Sequence, residues 1–168
     1  GVSALINGTT DICNSSRPMK KSEIEKISQK YNTKGVEIPC ALDGITIYVH
    51  SSNPVKSLTL QQLSDIYQGK ITNWKQLGGK DSKIVLYGRE NSSGTYVYFM
   101  EEVVKGDFAR SCLTLPGTAA IVNAVTKDPN GIGYGGAAYS KGVKKVAVSR
   151  DASSPAIMPT EQNISDNT

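Results

Sequence analysis

The segment Gly88-Arg-Glu-Asn-Ser-Ser-Gly-Thr95 carries the densest set of groups able to hold an anion. It leaves a short apolar run, Ile84-Val-Leu-Tyr87, and enters a stretch, Tyr96 to Val104, with a helical pattern ending at Gly106. A helix N-terminus exposes unpaired backbone N–H groups and a partial positive charge, so an anion placed there gains hydrogen bonds and a favourable dipole. Ser92, Ser93 and Thr95 add hydroxyls, and Gly94 lets backbone approach a ligand closely. Arg89, at the strand's carboxyl end, can offer a two-pronged guanidinium to two oxygens of a tetrahedral oxyanion. The same string also reads as a plain helix cap, with Arg89 a solvated charge paired to Glu90. It has neither the Gly-Lys-Ser/Thr ending of a Walker loop nor the Gly-x-Ser-x-Gly pattern of a nucleophile elbow.

Ser15-Ser16-Arg17-Pro18 repeats that chemistry with two hydroxyls and a guanidinium on a loop stiffened by proline, or is a surface turn. Pro116-Gly-Thr118 starts another helix and reads as a cap rather than a contact. Asp43, beside an apolar strand, is a counter-ion to Arg17 or Arg89, or a turn residue. Trp74 with Leu77 is expected to pack a small core. Cys13, Cys40 and Cys112 have apolar neighbours and read as buried thiols. With one histidine, His50, and no Cys-x-x-Cys, neither a zinc site nor a Cys/His or Ser/His catalytic scheme is expected. A hydrolase using Ser93 as nucleophile stays a rival reading, without a recognisable base.

The elements that position these groups alternate between strand and helix. Helices are expected from Val2 to Ile6 with a Gly8 stop, over 23–31 behind a Ser22/Glu25 capping box, over 60–67 capped by Thr59 and Gln62, and over 118–127. Strands are expected at 10–13, 36–39, 44–50, 84–87, 132–134 and 143–148. This is an α/β pattern with open, largely parallel sheets. Nineteen Lys and Arg against fifteen Asp and Glu give a scattered +4, which offers nucleic acid little footing but suits a small anion. No apolar run approaches the roughly 18 residues of a membrane span. The start, Gly-Val-Ser, has no Met, basic stretch or apolar core, as expected if a targeting segment was removed or lies outside this sequence, and Pro159 to Thr168 reads as a polar tail or as a segment whose partner is missing.

Ala4-Leu-Ile-Asn-Gly-Thr-Thr-Asp-Ile12, Asn14-Ser-Ser-Arg-Pro-Met19, Ser57-Leu-Thr-Leu60, Gly69-Lys-Ile-Thr-Asn-Trp74, Gly88 to Thr95, Leu115-Pro-Gly-Thr-Ala-Ala120 and Asp128-Pro-Asn-Gly-Ile-Gly-Tyr134 recur in one order. Together they resemble the phosphate-binding proteins of bacterial and archaeal phosphate ABC transporters. The resemblance implies an α/β, periplasmic-binding-protein type II-like two-lobe architecture. It implies a partial first lobe at 1–49, a complete second lobe at 50–134 and a return to the first lobe at 135–168. It implies extracytoplasmic capture of inorganic phosphate, in the periplasm or on a cell-surface lipoprotein, and delivery to an ABC transporter permease. No catalytic residue, metal or cofactor is implied. Arg89, Ser93, Gly94 and Thr95 match the phosphate-contacting loop, with Ser92, Ser15, Ser16 and Arg17 as further ligands. Arg17 stands where many members have an Asp, and Asn91 where some have an Asp supporting the Arg. A first lobe lacking its usual opening strands implies weakened phosphate binding, and either self-association through unpaired strand edges or disorder of residues 1–40 is expected. A surface-exposed interaction or sensing module is the alternative.

Overall fold

The structure is a computed structural model that describes residues 1–15, 17–41 and 43–166. Its contacts divide the chain into two compact units, Gly1–Leu42 and Asp43–Thr168.

The first unit holds two helices, α1 (Val2–Asn7) and α2 (Lys21–Tyr31). Gly8 closes α1 in the left-handed conformation, as the Asn-Gly pair predicts. The expected Ser22/Glu25 capping box does not form, and Lys20, which has no side-chain acceptor, stands at the N-cap. Glu23, rather than Glu25, reaches back to accept the Lys20 N–H at 2.7 Å. Thr10–Cys13 and Val36–Pro39 are not strands. Val36 and Ile38 are instead exposed, because β-branched residues become strands only where a ladder partner exists.

The second unit is built on one six-stranded sheet. In chain order its elements are β1 (Ile45–Val49), β2 (Ser57–Thr59), α3 (Leu60–Tyr67), a 3₁₀ turn (Trp74–Leu77) and β3 (Val85–Arg89). After these come α4 (Gly94–Phe99), a π turn (Met100–Val104), β4 (Leu113–Leu115), α5 (Thr118–Lys127), β5 (Gly131–Gly136), β6 (Lys144–Ser149) and α6 (Glu161–Ser165). The strand order is β2-β6-β1-β5-β3-β4. The sheet is mixed rather than largely parallel: β1 runs antiparallel to both β5 and β6, whereas β2/β6, β3/β4 and β3/β5 are parallel. The expected tail folds in part, since Thr160 caps α6 and Ile157 bridges to Val148.

Strand alternation sends β1 side chains to two cores. Ile47 and Val49 join Leu58, Leu63, Ile66, Trp74, Leu86, Phe99 and Ile132 under α3 and α4. Tyr48 joins Ile121 and Val125 of α5 on the other face. Trp74 is fully buried and its indole N–H donates to the Asn130 carbonyl at 2.9 Å, so its core role holds. The cysteines are free, but Cys40 is exposed and the other two only half-buried; burial pushes the Cys112 thiol up to about 11.

The sequence Gly-Ile-Gly-Tyr-Gly-Gly of β5 decides how closely α5 lies on the sheet. A Cβ on Gly133 would collide with Ile121 and stand 3.2 Å from Val125, and one on Gly135 would collide with Thr118. Side chains there would lift the helix off. Replacing Gly133 by Ala is therefore expected to cost about 1–3 kcal/mol in urea denaturation, and Ile121→Ala, which removes the colliding γ-methyl, to be less costly in that background than in the parent chain.

Candidate anion-binding site

The site grows from the carboxyl end of β3, where parallel α/β sheets present ligand-binding groups. Arg89 is the last residue of β3, two residues beyond the expected strand end. Its backbone N–H donates to the Tyr134 hydroxyl at 3.3 Å. The Tyr134 ring is stacked on Phe99 with centroids 3.9 Å apart, and Tyr67 stands edge-on to both rings. An apolar aromatic block under the sheet thus fixes the point from which the arginine side chain leaves.

The Arg89 side chain is only 14% exposed, and its guanidinium is held on two sides. Its Nε and Nη2 donate to Glu90 Oε2 and Oε1 at 3.0 and 2.8 Å, and Nη1 donates to Thr118 Oγ1 at 3.1 Å. Glu90 Oε2 also accepts the Gly117 N–H at 3.4 Å. The pairing holds the Glu90 carboxyl down at about 2 and raises the already basic Arg89.

Beyond this pair the chain turns into α4. Ser93 is the N-cap: its hydroxyl accepts from the Tyr96 N–H at 3.5 Å, and its own N–H donates to the Glu90 carbonyl at 3.0 Å. Ser93 is buried, Gly94 and Thr95 are half-buried, and Asn91 and Ser92 are exposed. The first amides of a helix have no intrahelical acceptor, so Gly94 and Thr95 supply donors at its positive end. A basic fork, hydroxyls and helix amides therefore meet in one short segment, a donor set suited to a small oxyanion.

The other residues expected at the site are each placed within their own unit. Arg17 lies in the first unit, where Nη1 and Nη2 donate to Glu23 at 2.9 and 2.8 Å and Nη1 also to the Pro18 carbonyl. The Ser15 hydroxyl bonds across its own turn to the Arg17 carbonyl at 2.7 Å, and Ser16 is outside the described residues. Arg89 pairs with Glu90 and not with Asp43, whose carboxylate faces Gly136. Thr118 is a contact of Arg89 rather than a cap, and α5 has no side-chain cap at Gly117. Tyr134 was not legible as a site residue, because alternation assigns it only a core face.

These features define a binding domain of a known class. A profile described as a PBP superfamily domain matches residues 1–167, and the chain belongs to that family. Among relatives, it is 38% identical to the phosphate-binding protein PstS of Pseudomonas aeruginosa, over 95% of this chain and 54% of that protein. It is 35% identical to the protein SphX of Synechococcus elongatus, over 100% and 52%. Among solved structures, a Clostridium perfringens protein assigned as a phosphate ABC transporter substrate-binding protein, with bound phosphate, superposes with TM-score 0.85. The match is 34% identical and covers 99% of this chain and 65% of that one. An ABC-type phosphate transport receptor from Vibrio cholerae gives 0.74 at 31% identity, over 99% and 66%. The chain spans about half the length of the curated relatives it matches.

The two Arg–Glu pairs set an acid response. The carboxyls of Glu23 and Glu90 both fall from 4.5 to about 2, each chiefly through its arginine's hydrogen bonds. A lowered folded-state pKa adds stability that is complete above about 4.5 and is lost as pH drops towards about 2. Thermal melting from pH 6 to 2 should show the midpoint falling in that window, with a shallower slope in the Glu23→Gln/Glu90→Gln double variant.

Proposed function

We propose that this chain is part of an extracytoplasmic solute-binding protein that captures inorganic phosphate and passes it to an ABC transporter permease. The observation that carries the reading is that Arg89 ends β3 and the Ser93-capped start of α4 follows it within a few residues of the same loop. It is supported by the relatives named for phosphate binding and by the Clostridium perfringens structure that contains phosphate.

The proposed ligands are Arg89, Ser92, Ser93, Gly94 and Thr95 in the second unit and Ser15, Ser16 and Arg17 in the first. The lobe division at 49/50 and 134/135 belongs to the same proposal, as do the permease partner and the periplasmic or cell-surface location. Binding here is electrostatic and needs no covalent step: the guanidinium supplies a planar fork, and the helix start supplies amides and hydroxyls around a tetrahedral anion. The Ser93 hydroxyl, which caps α4, suits a donor or acceptor better than a nucleophile.

Calorimetric titration with inorganic phosphate tests the reading. Phosphate should bind, and Arg89→Ala should weaken it about 100-fold or more, since two charge-assisted hydrogen bonds are lost. An Arg89→Ala chain that binds phosphate as well as its parent would sink the site assignment.

A further inference from the structure

We propose that Glu90, and Thr118 seated on Gly135, are positioning residues that fix which edge of the Arg89 guanidinium meets an anion; the proposal rests on the phosphate-binding reading above. A guanidinium is planar and has five N–H groups. Glu90 closes the side edge by taking the Nε N–H and one on Nη2, and Thr118 Oγ1 takes one on Nη1. Among the described residues, one N–H then remains on each terminal nitrogen. An incoming oxyanion therefore meets two donors, one on each, rather than the side edge.

Both restraints on Arg89 lead to the start of α5. Thr118 is its first residue, and the preceding Gly117 gives its N–H to Glu90 Oε2 at 3.4 Å. The position of Thr118 depends in turn on Gly135, because a Cβ at 135 would collide with the threonine side chain. The chain of contacts runs from Gly135 through Thr118 to Nη1, and from Gly117 through Glu90 to Nε and Nη2. Its members lie on or directly beside β3, α5 and β5, which the sheet and the α5 core already hold together. Such a frame removes the ordering cost that a long, freely rotating arginine would meet on binding. Glu90 could instead be a stand-in that the anion displaces. Its second tie, to the Gly117 amide, and the N–H groups left on Nη1 and Nη2 favour positioning.

The test uses the 168-residue chain. The Arg89 Nε–H resonance, assigned by its loss in Arg89→Lys, is followed by NMR through a titration with inorganic phosphate. Calorimetry is run on Glu90→Gln, Thr118→Val and Thr118→Ser. The expected result is an Nε–H that exchanges slowly with water and persists at phosphate saturation. Phosphate binding should weaken about tenfold in Glu90→Gln and in Thr118→Val and recover in Thr118→Ser. Unchanged or tighter binding in Glu90→Gln would overturn the proposal, as would loss of the protected Nε–H at saturation. If the parent takes up no phosphate, the phosphate-binding reading fails, and if Arg89→Lys binds it equally well, the assignment of the site to Arg89 fails. Positioning is then decided on the free chain, where faster Nε–H exchange in Glu90→Gln and Thr118→Val upholds it and unchanged exchange overturns it.

Discussion

A guanidinium that is mostly withdrawn from water must have its charge and donors met by the protein, and at Arg89 that requirement organises the second unit. The partners come from three places: the next residue in the chain, Glu90; the start of α5, through Gly117 and Thr118; and β5, through the Tyr134 hydroxyl on the Arg89 backbone. Glu90 is a local partner, but Gly117, Thr118 and Tyr134 reach the pair only because β3 lies beside β5 and α5 packs on both. The arginine is thus a point at which strand pairing, helix docking and local charge pairing must agree.

Close approach of α5 to the sheet follows from composition. The glycines of β5 leave a smooth strip, and the helix fills it with Thr118, Ile121 and Val125. On the other face, Phe99 and Tyr134 stack and Tyr67 meets both edge-on, which holds α4 against the end of β3. The same packing that stabilises the sheet therefore ties the Arg89 backbone, through the Tyr134 hydroxyl, to the aromatic block that includes Phe99 of α4. In the first unit, Glu23 has a double task, pairing with Arg17 and closing the Lys20 end of α2.

Much of the fold was legible because strong local signals agreed with it. The Thr59/Gln62 capping box starts α3 where expected, with mutual bonds of 3.0 and 2.8 Å, and α5 occupies 118–127 as its periodicity predicts. The misreadings share one cause. Thr10–Cys13 and Val36–Pro39 have strand-like composition without a strand beside them, and Ser57–Thr59 and Leu113–Leu115 are too short to announce themselves yet pair with β6 and β3. Strand formation is a property of pairs, whereas helix starts and stops are written in neighbouring residues.

The sequence by itself determined the alternation of strands and helices and the placing of Arg89 ahead of a helix start rich in hydroxyls. It also carried the family resemblance, through the order of motifs from Ala4 to Tyr134. Tertiary structure alone decided which carboxylate meets Arg89, that Thr118 is its contact rather than a cap, and that Arg17 is engaged with Glu23. It also decided that β1 runs against β5 and β6. The reason is physical. Periodicity and caps act over three or four residues, so they can be read along the chain. The partners of a buried charge are chosen by whatever the sheet brings within about 3 Å, and residues 89 and 118 become neighbours only when β3, β5 and α5 are packed together.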